Sequence, residues 1–392
     1  MIKQIQIKNF RSIKNVQIEI KPLTLLYGHN ASGKSSILYA PFILRNIILN
    51  PNQTVDGFPN LIFCNFGGFD QVVYNHDPKL EIEIGVTSDT EFGELSYTVA
   101  FSKDSGSFRL KLEDKIDETL HVKFPYPVNS QKKIQVKTEE ETVEFIWNGI
   151  TANPTIQPLT QFGEKLLKNL NSVIELIKNI DIVPLKRGFS KPVYSPISVG
   201  QIAINEDEVA TLLTRGFGYL KNKVHIYVRK IFNKDFQLTS TPGTSIFYLQ
   251  TVDEKGLTSE LVNDGFGVNQ TIYLLTKVLR PEASVLLIEE PEIHLHPVAQ
   301  SKLVEALVEI VENEDKTLII STHSEHIISS LLSLVVENKI SHDQIACYLC
   351  KKEKGVTVVQ EQKVNSKGQI EGGLTSFMEA EIEVLKKMIG QK

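Results

Sequence analysis

Gly28-His29-Asn30-Ala31-Ser32-Gly33-Lys34-Ser35 has the residue types of a phosphate-cradling loop: glycines at its first and sixth places, then lysine and a hydroxyl. In such a loop the backbone N–H groups surround the phosphates, Lys34 reaches the β- and γ-phosphates, and the Ser35 hydroxyl ligates Mg²⁺. A second chemical element is Val285-Leu286-Leu287-Ile288-Glu289-Glu290, an apolar run ending in two carboxylates. At the carboxyl end of a parallel strand those acids would face the crevice where ligands bind. Glu289 would then hold Mg²⁺ through its water shell, and Glu290 would polarise an attacking water.

These residues need a strand, a turn and a helix to position them, and the local pattern supplies all three. Leu23–Tyr27 reads as a strand, and an amphipathic stretch from Gly33 to Leu49 reads as a helix. Before them, Ile2–Ile7 and Val16–Ile20 alternate apolar with polar, as half-buried strands do. From about 79 to 147 the period is again two, in Leu80–Ile84, Tyr97–Phe101, Leu110–Leu112 and Val143–Ile146, which predicts an antiparallel sheet inserted into the nucleotide domain. Helical periodicity spans Leu159–Ile177 and, as one helix, Asp207–Ile231, with a short strand at Ile182–Leu185 between. Strands follow near Phe236–Leu238, Ile246–Gln250 and Leu257–Leu261. The final third alternates helix Val268–Leu279, strand Val285–Ile288, helix Val298–Val311, strand Thr317–Ser321, helix Glu325–Val336 and strands Ile345–Leu349 and Val356–Gln360. Alternation of this kind gives a parallel sheet covered by helices. Ser376–Ile389 reads as a terminal helix, a packing element or a docking element for a partner.

Composition limits the functions on offer. The 392 residues carry 42 Lys+Arg against 47 Asp+Glu, a formal net charge of −5, which is unlike a nucleic-acid coater. No apolar run approaches the roughly 18 residues of a membrane span, and the N-terminus lacks a secretory signal, so a cytoplasmic protein is expected. Of three cysteines, Cys347 and Cys350 form a lone C-x-x-C, and on an alternating strand they point to opposite faces, which does not suit zinc.

Further motifs make a resemblance specific. Pro291-Glu292-Ile293-His294-Leu295-His296-Pro297 follows the two acids, Ser321-Thr322-His323-Ser324 ends the next strand, and Asp264-Gly265-Phe266-Gly267-Val268-Asn269-Gln270 opens the preceding helix. With Ile7-Lys8-Asn9-Phe10-Arg11-Ser12-Ile13 at the start, the chain resembles the ABC-type ATPase heads of the RecF, SMC and OLD group. The resemblance implies a P-loop NTPase fold of the α/β class: a two-lobe head with an inserted antiparallel β-sheet and helices. Residues 1–76 and 236–392 would form the nucleotide-binding lobe and 77–235 the insertion. It also implies ATP and Mg²⁺ as cofactors and a homodimer closed around ATP, in which Gly265, Gly267, Asn269 and Gln270 contact the nucleotide held by the other subunit. His323 matches the switch histidine, and Arg11 and Ser36 join the nucleotide-binding set of Gly28 to Ser35. Three features depart from the group. Asn269 stands where the signature usually has serine, Glu289 stands where many ABC proteins have aspartate, and the Mg²⁺-contacting glutamine is Gln71 or, second, Gln53. His294, His296, His323 and His326 could be drawn as a metal cluster, but the resemblance accounts for three of them without metal.

What the ATPase drives is open at this level. One expectation is a clamp acting on DNA in repair or antiviral defence without sequence-specific readout, for which Lys221, Lys223, His225, Arg229 and Lys230, or Lys186, Arg187 and Lys191, are the basic clusters. The other is a nucleotide-controlled scaffold restraining a separate effector protein encoded nearby. Too few residues follow Val359 for the acidic nuclease domain of OLD proteins, so nuclease activity in the chain itself is not expected.

Overall fold

In the computed structural model, residues 1–61, 63–137, 141–200, 202–203, 205–371 and 373 are described. The expected terminal helix Ser376–Ile389 lies outside them. Two units divide the chain: Met1–Ile20, Ala31–Ile180 and Cys350–Val359 form the first, and Lys21–Asn30, Asp181–Leu349 and the described residues from Gln360 on form the second.

The first unit is built on a six-stranded antiparallel sheet in the order Ile13–Glu19, Ile2–Phe10, Ile82–Thr90, Gly93–Phe101, Ser105–Leu112 and Ile116–Lys123. The strands from 82 onward thus continue a sheet begun by the N-terminal hairpin. Their alternation puts apolar residues in rows across one face: Ile18, Ile5, Val86, Tyr97 and Leu110 are successive register partners, as are Val16, Ile7, Ile84, Val99 and Phe108. Each row is buried, while Gln4, Gln6, Lys8 and Glu83 alternate onto the other face. Helix Lys34–Leu49 packs against Ile2–Phe10, Ile82–Thr90 and helix Gln161–Lys178. It is buried nearly all round, so its apolar content exceeds what a one-faced surface helix carries. Lys132–Lys137, Thr142–Trp147 and Ala152–Pro154 make a second antiparallel sheet. Alternation alone does not mark Ile116–Lys123, Lys132–Lys137 or Ala152–Pro154, because charged residues equal or outnumber their apolar positions or the segment is too short.

The second unit centres on a sheet in the order Ile180–Val183, Val285–Glu289, Thr317–Thr322, Leu23–Tyr27 and Ile345–Glu353, the last strand belonging to this unit as far as Leu349. The pairs among the last four are parallel, with Glu289 opposite Ser321, Ser321 opposite Leu26 and Thr322 opposite Tyr27. Their carboxyl ends therefore fall level. Val285–Glu289 and Thr317–Thr322 are buried along their whole length, as a sheet covered on both faces requires. The covering helices include Phe266–Val278, Pro297–Glu314 and Glu325–Val336. The stretch 207–231 is not one helix. It breaks into Glu206–Leu212 and Tyr219–Phe232 because Gly216 and Gly218 adopt left-handed φ values of 61° and 81°. Among the described residues no helix is long and apolar enough to cross a membrane.

Candidate active site

The phosphate loop leaves its strand at Tyr27 and enters the first helix at Lys34. Gly28, Ala31 and Gly33 have φ of 135°, 62° and 104°, the positive values from which anion-binding loops are built. At Gly33 a side chain is excluded twice over. The φ is left-handed, and a Cβ would stand 2.2 Å from Thr357 Oγ1, which is itself held 2.8 Å from Ser12 Oγ. Lys34 and Ser36 are buried, Ser35 is half-buried, and His29, Asn30 and Ala31 are exposed. Ser32 Oγ is buried with no hydrogen-bond partner, a donor left over for a bound group.

Within the second unit, Gly28, His29 and Asn30 continue the strand that pairs with Thr317–Thr322, so the loop begins level with the two acids and the histidine. Glu290 leaves its strand with a left-handed φ of 41°, a conformation that costs a glutamate on the order of 1–3 kcal/mol. Its N–H donates to Ser321 O at 2.9 Å, and its Oε1 lies 2.8 Å from His323 Nε2. Glu289 is buried, and its Oε2 accepts from the Leu185 N–H at 3.2 Å. Opposite Glu289 in register, Ser321 Oγ is buried without a partner. Within this unit a carboxylate and an unpartnered hydroxyl are hard oxygen donors of the kind Mg²⁺ takes, so these two residues fit that ion.

Two residues that the motif pattern leaves without a role sit behind this pair. Glu292 is buried, and its Oε1 accepts from Thr322 Oγ1 at 2.7 Å and from the His323 N–H at 2.8 Å. Burial pushes its carboxyl above the usual range, against the pull of those two hydrogen bonds. Arg187, grouped by sequence with a solvated basic loop, is 9% exposed. Its guanidinium donates to the main-chain oxygens of Pro184 at 3.1 Å, Glu289 at 2.7 Å and Glu290 at 2.7 Å. Burial brings its pKa down to about 10, with the charges of Glu292, Glu289 and Glu290 opposing the fall, so it stays charged at neutral pH. Nothing in its neighbours' sequence distinguishes it from an exposed arginine.

The signature segment divides by exposure. Gly265 caps helix Phe266–Val278 in open space, and Phe266 is 73% exposed with its ring 5.6 Å from that of His294. Gly267 packs against the His294 carbonyl, which a Cβ would approach to 2.6 Å. Gln270 is half-buried with its Oε1 unpartnered. Asn269 faces inward: its Oδ1 accepts from Phe189 N–H at 2.7 Å, and its Nδ2 donates to Phe189 O at 2.9 Å and Leu261 O at 3.1 Å. Its amide is thus committed within the chain. Asp264 anchors the helix start, accepting from Lys234 Nζ at 2.7 Å, Thr251 Oγ1 at 2.6 Å and the Gly265 N–H at 2.8 Å. Burial would raise its carboxyl, but these donors hold it below the usual range.

In the first unit, Arg11 has a left-handed φ of 53° and lies over the Phe66 ring at 4.9 Å. Gln71 is exposed on the short helix Phe69–Val72, whereas Gln53 is half-buried with Nε2 unpartnered. The basic helix is largely neutralised by its neighbours: Lys223 pairs with Glu314, Lys230 with Glu309 at 2.6 Å and Arg229 with Asp235 at 3.4 Å. Lys191 pairs with Asp207 at 2.6 Å, and Lys186 is exposed. Arg187, by its burial, has no face for DNA.

A phosphate-type loop, paired acids and a histidine touching the second acid are the parts of a nucleoside triphosphate hydrolase. A family model described as an AAA ATPase domain matches residues 1–328. The OLD nuclease of Thermus scotoductus is 25% identical over 342 residues, 83% of this chain and 59% of that protein. Endonuclease GajA of Bacillus cereus is 22% identical over 378 residues, 88% of this chain and again 59% of that protein. The chain thus spans about three fifths of the length of these relatives. Among solved structures, an SMC head bound to the C-winged helix domain of ScpA superposes with a TM-score of 0.54 over 93% of this chain and 98% of that one, at 12% identity. The chain belongs to the AAA ATPase domain family, has the fold of an SMC head, and is an ATP hydrolase.

Proposed function

We propose that the chain is a Mg²⁺-dependent ATPase in which Glu290 is the general base and two copies close head to tail around ATP to act on DNA in repair or antiviral defence. The observation that carries the chemistry is the 2.8 Å contact of Glu290 Oε1 with His323 Nε2 at the carboxyl end of the parallel sheet. In this reading the loop from Gly28 to Ser36 binds the phosphates, with Lys34 on the β- and γ-phosphates, and Arg11 supports the same nucleotide. Ser35 and Glu289 would hold Mg²⁺, with Gln71 as the glutamine ligand, and the ion would offset phosphate charge. Glu290 accepts the proton of the attacking water, while His323 bonds to the carboxylate and fixes its direction. Gly265, Gly267 and the exposed Phe266 are the signature face that would meet the partner's nucleotide, with Gln270 beside them. Asn269 supports that face from within. The assignment to DNA rests on relatives that are, by name, nucleases.

A second reading, a nucleotide-timed scaffold for a separate effector protein, is favoured by one observation. The basic residues of helix Tyr219–Phe232 are mostly closed by acids of the same chain, leaving little free charge for a phosphate backbone. ATP turnover and particle mass of wild type and Glu290→Gln, each with and without DNA, separate the readings. An ATP-stable Glu290→Gln dimer and DNA-stimulated wild-type turnover support the clamp. Dimerisation with turnover indifferent to DNA selects the scaffold, and unchanged turnover in Glu290→Gln removes Glu290 from the chemistry.

A further inference from the structure

The left-handed turn at Glu290 needs something to hold it, because the strand ends at Glu289 and the side chain must leave the sheet at one fixed angle. On one side the Glu290 N–H is fixed to Ser321 O at 2.9 Å. On the other, the two amino groups of a single guanidinium hold the carbonyls of Glu289 and Glu290, each at 2.7 Å. The same group closes its own turn through Pro184 O at 3.1 Å. A planar fork can serve consecutive carbonyls at once, and an ammonium on a flexible stem cannot do so with the same geometry.

The loop that carries this arginine is itself fixed to the signature helix. Asn269 exchanges two hydrogen bonds with the Phe189 backbone, and Gly188, at a φ of 125°, lets that backbone come so near that a Cβ would stand 2.8 Å from Asn269 Oδ1. Phe189 packs between Tyr194 and Tyr273, with ring centroids 5.9 and 5.6 Å away. Arg187 is therefore carried by a loop that is hydrogen-bonded to the signature helix, and its guanidinium holds the main chain of the two acids.

We infer that Arg187 is a positioning residue for ATP hydrolysis: bound to the Glu289 and Glu290 carbonyls and anchored through Phe189 to Asn269, it aims the Glu290 carboxylate at His323 and the attacking water. The inference rests on the reading of Glu290 as the base. A small misalignment of a base costs about a hundredfold in rate while leaving ground-state binding of ATP untouched, since the loop Gly28–Ser36 is not involved.

The test uses the full chain with Mg²⁺ and ATP, measuring kcat, KM and thermal melting for Arg187→Met, Arg187→Lys, Glu290→Gln and the double variant Arg187→Met/Glu290→Gln. Arg187→Met is expected to lose about a hundredfold in kcat with KM within threefold, and Arg187→Lys about tenfold. The double variant should turn over no more slowly than Glu290→Gln alone, because both changes remove one function. A folded Arg187→Met with kcat within threefold of wild type overturns the inference, as does a double variant whose loss is the product of the single losses. Should Arg187→Met fail to fold, Arg187→Lys decides: wild-type kcat overturns the inference, and a lowered kcat at unchanged KM upholds it. Wild-type turnover in Glu290→Gln would remove the base assignment and this inference together. Loss in Glu290→Gln beside full activity in Arg187→Met would remove this inference alone.

Discussion

Glu290 Oε1 and His323 Nε2, from the ends of two neighbouring parallel strands, stand 2.8 Å apart. Thirty-three positions separate them in sequence, and what brings them together is the register that sets Glu289 opposite Ser321. Glu290→Gln should lower ATP turnover by about 10²–10³-fold with ATP binding retained, the usual cost of losing a general base. His323→Ala should lower it less, by about tenfold to a hundredfold, since the carboxylate remains but loses its orienting contact. Equilibrium binding beside steady-state turnover checks both, and a rise in KM at constant kcat would contradict the assignment.

Gly33→Ala should damage the loop at its foundation. The alanine methyl would meet Thr357 Oγ1 at 2.2 Å and sit at a φ of 104°, so the cost is about 1–3 kcal/mol or more. The melting temperature should fall, and the stabilisation that ATP gives the wild type should vanish. An ATP-induced melting shift equal to that of wild type would show that the loop tolerates a side chain and is not the phosphate site.

Asp264 gives stability a pH dependence of known sign. Its carboxyl is held below the usual range by Lys234, Thr251 and the Gly265 N–H, so its contribution is present above the unfolded pKa of about 4 and disappears as pH falls through the lower folded value. Asp264→Asn should therefore melt below wild type at pH 7, with the gap closing as pH drops below about 4. Thermal melts of both proteins from pH 3 to 7 measure this directly, and a gap that does not depend on pH would sink the claim.

The thiols should divide by burial. Cys347 and Cys350 are buried, and that burial raises each pKa to about 12, while Cys64 is only half-buried. At pH 8 only about one in 10⁴ of either buried thiol is thiolate, so Ellman's reagent should modify one cysteine promptly and the other two only on unfolding. Because the folded pKa is raised, these thiols cost stability as pH climbs from about 9 toward 12. Prompt reaction of all three at pH 8 would contradict the packing of the strand Ile345–Glu353.

Local pattern in the chain is enough to place the phosphate loop and most of the elements around it. Tyr27 to Lys34 could be recognised because the two positions with φ above 100°, Gly28 and Gly33, favour glycine, and that preference is local. The strands Leu23–Tyr27 and Val285–Glu289 and the helix Glu325–Val336 were legible because burial on two faces or on one stripe imposes its own period. Other features depend on contacts made in the folded chain. Folding joined the strands from 82 onward to the N-terminal hairpin, and it split 207–231 at Gly216 and Gly218, across which the apolar helical spacing runs on. It turned Asn269 inward onto Phe189 and put Arg187 behind Glu289 and Glu290, 102 and 103 positions away in sequence. Such contacts between distant segments leave no period or spacing behind them. They arise when packing excludes water and the remaining polar groups must find one another.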